Sequence, residues 1–463
     1  MLFSGIPFLY CFLPAALAVY FAAPQRLKNA ALFLLSVLFY GWGEPKYVLL
    51  MLGVICVTFF FGIAAEKLRN KKGGRAFFLV CVLFYVCVLG YFKYADFFIS
   101  VFSKTTGLSI PLLNVALPVG ISFYIFQTLS YVIDVYRGDV RANRSFISLA
   151  AYVSMFPQLI AGPIVRYSDI KGELAEKKTF DAVRVQRGAV RFIIGLSKKV
   201  ILANTLGEVA AAYISSSHTV VFTLIYAVSY SMQIYFDFSG YSDMAIGLGE
   251  ILGFHFPENF NYPFISKSVT EFWRRWHMTL GSWFRDYVYI PLGGNRANAA
   301  RQVLNILIVW ALTGLWHGAS LNFVIWGLYF AVILAAEKFV KRKTNFRPPA
   351  FLRHIYVIFA VFVSFMIFSF TDFEQLKNAL ELWKMPFFSK ETLYYLKNYA
   401  GVIIISGVLC TPLVKKLILK LKAQNKYVAL LYTLEIIACV FLLILCTAFI
   451  VDGSYNPFLY FRF

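Results

Sequence analysis

Apolar runs of membrane-crossing length alternate along this chain with short segments rich in lysine and arginine. Residues 76–98 are almost uninterrupted apart from Lys93 and Asp96, and residues 427–450 hold one ionisable carboxylate, Glu435. A bilayer core takes about 20 apolar helical residues to cross, and roughly ten to twelve runs approach that length. The pattern predicts spans near residues 2–22, 30–63 (a hairpin), 76–98, 115–136, 188–212, 220–235, 355–370, 401–414 and 427–450. Residues 146–160 are too short to cross at about 1.5 Å per residue. Residues 161–199 are polar and basic and belong at a membrane face. The first residues show neither a basic leader nor a cleavage site, so residues 2–22 read as a retained span. No internal repeat or low-complexity linker divides the chain, and residues 1–463 read as one integral-membrane domain.

Composition agrees with this pattern. Hydrophobic residues make up 60% of the chain and charged residues 14%, where a soluble domain carries roughly a quarter. The solvent implied is the lipid bilayer, with the abundant Phe and Tyr suited to lipid-facing and interfacial positions. A net charge of +21 raises nucleic acid as a partner, but the placement of the charge argues against it. Basic residues cluster between apolar runs, at 67–75, 137–144, 171–199, 274–301, 338–353 and 415–426, whereas residues 372–397 balance four acids against four lysines. This asymmetry puts the basic loops in the cytoplasm and both chain ends outside. All seven cysteines lie in apolar runs without a CxxC pair, so neither a disulfide framework nor a metal site is expected.

Candidate chemistry lies in the second half. At 100° per residue, the run from Glu271 to Tyr287 puts Trp273, Trp276, Leu280, Trp283, Phe284 and Tyr287 on one helical face. Arg274 and Arg285 take the neighbouring face, and His277 lies at the boundary. This predicts an interfacial amphipathic helix. It serves either as a basic membrane anchor or as a cationic floor for a phosphate-bearing ligand. The glycine turn Pro291-Leu-Gly-Gly-Asn-Arg296 suits phosphate or is a plain turn. Residues 303–316 and 321–336 predict two short helices that enter and return on the cytoplasmic side, with Trp316-His317-Gly318 at the tip. An ionisable group at that depth is a functional candidate. A neutral imidazole there can remove a proton from an attacking hydroxyl. The alternative is a structural imidazole bonded to a backbone carbonyl. Asp237-Phe-Ser-Gly-Tyr-Ser-Asp243, just after an apolar run, is either a polar wall of the reaction centre or a helix-initiating cap. Gly247-Leu-Gly249-Glu-Ile-Leu-Gly253 lacks both the spacing and the preceding strand of a dinucleotide loop. Ser122, Gln127, Ser130 and Asp134 form a polar stripe suited to helix–helix hydrogen bonding.

With these residues in view, the chain resembles the membrane-bound O-acyltransferase family, in its bacterial polysaccharide-acetylating branch. The matching stretches are Pro118-Val-Gly-Ile-Ser-Phe-Tyr-Ile-Phe-Gln127, Phe156-Pro-Gln-Leu-Ile-Ala-Gly-Pro163, Asp237–Asp243, Glu271–Arg296 and Leu315-Trp-His-Gly318. The resemblance implies an all-α, polytopic fold, a helical cone around a central tunnel with short re-entrant helices, in the bacterial cytoplasmic (inner) membrane. It implies that His317 matches the catalytic histidine and His277 the second polar position; the segments themselves offer Arg274, Arg285, Trp316, Asp237 and Asp243 as substrate-binding candidates. It implies acetyl-CoA, or another acyl-CoA or an acyl carrier protein, as cytosolic donor. An extracytoplasmic acetyltransferase partner or polysaccharide would be the acceptor. A sister branch moves D-alanine toward teichoic acid.

The leading reading is thus an O-acyltransferase, probed through His317, that needs no bound cofactor because the thioester is itself a substrate. An anion transporter or channel also explains broken helices and buried polar residues, but the hydropathy shows no two-fold repeat. Topology is directly measurable. Single cysteines at Lys71, Lys343 and Lys422 on a cysteine-free background should label only from the cytoplasm, and one at Lys390 only from outside. Cytoplasmic labelling at 390 would overturn the assignment of the last three spans.

Overall fold

The computed structural model describes residues 3–216, 218–344, 348–370, 373–423 and 428–453, whose regular elements are all helical. Leu2, Asp372 and Tyr427, at which three expected segments begin, lie outside the described residues. Among the described residues, six helices are long and apolar enough to cross a bilayer: Pro45–Leu68, Gly74–Thr106, Ala299–His317, Leu321–Lys343, Ala350–Ser369 and Ala429–Asp452. Lys390–Leu409 and Leu413–Ala423, bent by 58°, make a further one if taken together. The chain is a multi-pass, all-α membrane protein. It forms two compact units, Met1–Phe192 with Ser242–Pro257, and Ile193–Tyr241 with Glu258–Phe463.

In the first unit the expected hairpin is present as Lys28–Gly43 and Val48–Leu68, turned at Glu44 and Pro45. The expected span at 115–136 is shorter than its apolar run. Pro118 and the left-handed Gly120 precede a helix that begins only at Ile121 and ends at Arg137. Every residue from Ile121 to Val135 is buried, so this helix has protein on all sides. Within its polar stripe the Ser130 hydroxyl donates to the Gln127 carbonyl. Residues 146–160 do stay short, as Phe146–Ser154 and Phe156–Leu159. They are anchored where the Phe156 N–H donates to the buried Ser36 hydroxyl at 3.1 Å.

The span expected to stop at Tyr235 runs on as one helix, Val220–Leu252. Asp237-Phe-Ser-Gly-Tyr-Ser-Asp243 therefore lies inside a helix and caps none. The helix continues because each carboxylate has a cation: Lys199 pairs with Asp237 at 2.6 Å, and Arg191 with Asp243 at 2.9 Å. Gly247 is used for packing, since its Cα faces the backbone of Gly188.

The second unit is organised by a helical hairpin, Ala299–His317 and Leu321–Lys343. Both arms exceed the expected 303–316 and 321–336. Asn298 caps the first by accepting the Arg301 N–H at 2.9 Å, and Lys341, Arg342 and Lys343 extend the last turn of the second. At about 1.5 Å per residue the arms reach roughly 28 and 34 Å, long enough to cross. Apolar runs understate them because charged residues at the ends are also helical. The arms touch backbone to backbone. A Cβ on Gly314 would run into the Phe323 carbonyl, and one on Gly327 into the Trp310 carbonyl. The tip is tied to the helix Ala350–Ser369, where the Asn322 amide donates to the Phe368 carbonyl at 3.2 Å.

This close approach gives a stability prediction. Gly314→Val should lower the unfolding temperature of the detergent-purified protein, the cost of overpacking being about 1–3 kcal/mol. Gly53, whose Cβ would meet nothing within 4 Å, is the control, and Gly53→Ala should not lower it. A Gly314→Val protein as stable as its parent would mean that the arms do not pack as described.

Candidate active site

The region from Glu271 to Tyr287 is not one amphipathic helix. It is a short helix Val269–Trp273, a turn, a second helix Met278–Phe284 and a π-helical stretch Arg285–Tyr289. The break falls at His277, whose φ of 44° and ψ of 52° are left-handed. Few non-glycine residues adopt this conformation, at a cost on the order of 1–3 kcal/mol. Local hydrogen bonds hold it there. The Met278 N–H donates to the Asn259 carbonyl at 2.9 Å and the Asn261 N–H to the Arg275 carbonyl at 2.9 Å. The helical-wheel grouping still selects inward residues, because Trp276, Leu280, Trp283, Phe284 and Tyr287 are all buried. His277 is buried with them, at 2% exposure.

Glu337, on the second arm of the hairpin, positions the first of these helices. Its carboxylate accepts the N–H groups of Val269 and Thr270 at 2.7 and 2.9 Å and the Thr270 hydroxyl at 2.6 Å. These are the otherwise unsatisfied donors of a helix start, and the negative charge suits that end of the helix.

Several elements of the second unit bring two histidines into one aromatic setting. His317 ends the first arm of the hairpin, and its ring lies 5.0 Å from Trp316, 5.1 Å from Trp326 and 5.4 Å from Phe368, each roughly edge to face. The His277 ring lies 4.7 Å from Phe238 and 5.7 Å from Trp316. Trp316 therefore stands beside both imidazoles. The Nδ1 atom of His277 is 3.0 Å from the Asn259 side-chain oxygen. Its Nε2 is buried with no hydrogen-bond partner among the described residues. Burial, reinforced by the nearby His317, holds His277 well below the ordinary imidazole range, so its ring is neutral near pH 7.

The other expected site residues have the following settings. Arg274 and Arg285 are exposed, and Arg285 turns its guanidinium to Asp286 at 2.6 and 3.0 Å. Asp237 is buried against Lys199, whose side chain is 2% exposed, and Asp243 meets Arg191. The turn at Pro291–Arg296 is braced from within. Lys338 donates to the Asn295 side-chain oxygen at 2.7 Å, and Gln302 to the Asn295 carbonyl at 2.9 Å. Asn259, Thr279, Glu337, Trp326 and Phe368 escaped the sequence reading. Glu258-Asn-Phe-Asn-Tyr-Pro263 signals a turn, but nothing local shows that Asn259 reaches a histidine 18 residues on.

A helical membrane protein with a buried, partly strained histidine pair among tryptophans fits catalysis in an apolar setting. The chain belongs to the membrane-bound O-acyltransferase family, whose model matches residues 139–374. It is therefore an acyltransferase. It is 42% identical to a probable alginate O-acetylase of Pseudomonas syringae pv. tomato, over 80% of this chain and 72% of that one. It is 32% identical to a peptidoglycan O-acetyltransferase of Helicobacter pylori, over 82% and 79%. A teichoic acid D-alanyltransferase of Bacillus subtilis is 31% identical, over 48% and 59%.

The buried ion pair gives a prediction that separates structure from substrate binding. Lys199→Met should destabilise the protein by about 3–5 kcal/mol, because it removes the cation paired with a buried carboxylate. The double variant Lys199→Met, Asp237→Asn should recover most of that loss in thermal unfolding. A double variant as unstable as the single one would mean that Asp237 has another essential partner.

Proposed function

We propose that the protein transfers an acetyl group from a cytosolic thioester, acetyl-CoA or an acyl carrier, to a hydroxyl used in extracytoplasmic polysaccharide O-acetylation. His317 serves as general base. The observation that carries this reading is the position of His317 at the tip of a tightly packed hairpin, enclosed by Trp316, Trp326 and Phe368. Its support from relatives is that the alignments over 80% and 82% of this chain are to proteins named as O-acetylating.

In the proposed reaction the His317 imidazole takes the proton of the acceptor hydroxyl as its oxygen attacks the thioester carbonyl carbon. The tetrahedral intermediate collapses with cleavage of the carbon–sulfur bond. The departing thiolate takes the proton back from the imidazolium, so ester and free thiol leave and the histidine is regenerated. Thioester and ester lie close enough in energy that no nucleotide hydrolysis is required. The indole and phenyl walls exclude water that would otherwise compete as acceptor. Arg274, exposed on the same segment as His277, is suited to a phosphate of the donor. Because donor and acceptor lie on opposite sides, the setting is a bacterial cytoplasmic membrane, with a secreted acetyltransferase or the polymer itself as the next partner.

D-alanyl transfer from a carrier protein is the second reading, favoured only by the alignment to teichoic acid D-alanyltransferases over 48% of this chain.

The test is transfer from radiolabelled acetyl-CoA in proteoliposomes containing a hydroxyl acceptor, with donor binding measured in parallel. Loss of a positioned general base costs on the order of 10²–10⁴ in rate. His317→Ala should insert, bind donor and transfer at background rate, and His277→Ala should lose less. A His317 variant within a few-fold of its parent would remove His317 as the base.

A further inference from the structure

Asn259 sits against His277 and is completely buried, as nearly are His277 and Thr279. Its side-chain oxygen is the meeting point of the turn. The Thr279 hydroxyl lies at 2.9 Å, the Thr279 backbone N–H at 3.4 Å and His277 Nδ1 at 3.0 Å. A backbone N–H can only donate, so the amide atom it faces is the oxygen. An amide oxygen can only accept, so His277 Nδ1 must carry a proton. In a neutral imidazole only one nitrogen does so, and Nε2 is left with a lone pair.

We propose that Asn259 is a positioning residue that locks His277 in the Nδ1–H tautomer, so that Nε2 is presented as a hydrogen-bond acceptor. This deepens the acyl-transfer reading and rests on it. It also constrains the chemistry of the group that meets His277. A thioester carbonyl has no proton to give, so a neutral His277 cannot stabilise the developing oxyanion. Its partner is an O–H or N–H donor. One hydroxyl has one proton, so the proton that His317 removes is a different one. A second hydroxyl of a sugar acceptor, or the N–H of the His317 imidazolium once formed, has the required chemistry. The Nε2 atom is buried and without a hydrogen-bond partner among the described residues, as a site awaiting such a donor requires.

The surroundings of His277 bear on its titration. Phe238 and Trp316 are neutral, His317 is the titratable group that acts on it, and Asp237, beside Phe238, is held by Lys199. Introducing a carboxylate at 259 therefore has a readable sign. Asn259→Asp keeps an accepting oxygen but favours the imidazolium, moving the protonation of His277 upward by about one to three pH units.

The experiment is 15N NMR of histidine-labelled full-length protein in bilayers, with the His277 signals assigned by substitution, alongside the pH profile of acetyl transfer. The parent should show a protonated, pyrrole-type Nδ1 and an imine-type Nε2 at His277. Asn259→Ala should abolish that preference and lower transfer by about 10²-fold, as a misplaced group does. Asn259→Asp should keep Nδ1 protonated and move the acid limb of the profile to higher pH, which a purely structural residue would not do. If the alanine variant does not fold, the parent spectrum and the aspartate variant still decide. An Nε2–H tautomer in the parent, or an unmoved acid limb in Asn259→Asp, would overturn the proposal. Transfer that survives His317→Ala would instead sink the acyl-transfer reading, and the tautomer measurement would stand apart from it.

Discussion

A charge taken out of water costs several kcal/mol unless a partner and hydrogen bonds replace its hydration, and the polar residues of this protein are arranged around that cost. Lys199 and Asp237 meet each other almost wholly buried. Glu337 is satisfied by two backbone N–H groups and a hydroxyl. Asn259 gathers its donors onto one oxygen. Compensation bears on the backbone as well as the charge: Lys199 accompanies Asp237 inside its helix, and Asn259 bonds the backbone on the C-terminal side of the turn at His277. The exception at the site is His277 Nε2, which is buried without a hydrogen-bond partner among the described residues.

Much of the architecture was legible in the order of residues, because burial in lipid is a coarse and repeated signal. The hairpin at residues 30–63 and the short elements at 146–160 follow from run length. The family resemblance, carried by motifs spread through the chain, is borne out by the match over residues 139–374. What could not be read depends on partners distant in sequence. Asp237 looks like the end of a span until Lys199, 38 positions earlier, is seen to neutralise it. The run from Glu271 to Tyr287 has a consistent helical face, yet the periodicity of side chains carries no trace of the one residue at which the backbone changes hand. The hairpin arms were underestimated for the opposite reason, since polar ends such as Asn298–Arg301 extend a helix that hydropathy alone would stop.

The two histidines are held by different means. His317 depends on backbone contact between two helices, with Gly314 and Gly327 leaving no room for side chains between them, so its position is set by packing. His277 depends on a turn and a hydrogen-bonded amide, so its position is set by directional bonds. A centre built in this way has one member fixed by shape and another fixed by proton placement.

The left-handed backbone at His277 also narrows which amino acids position 277 can hold. Glycine enters that region freely, and asparagine, aspartate and histidine enter it more readily than other residues, whereas β-branched and bulky side chains are excluded. Chemistry applies a second filter, for of that short roster only histidine combines a donor on one side of a ring with a lone pair on the other. The residue found there lies where the two repertoires overlap. Replacement by alanine changes backbone preference and proton chemistry together, and asparagine is the exchange that leaves the first nearly untouched while altering the second.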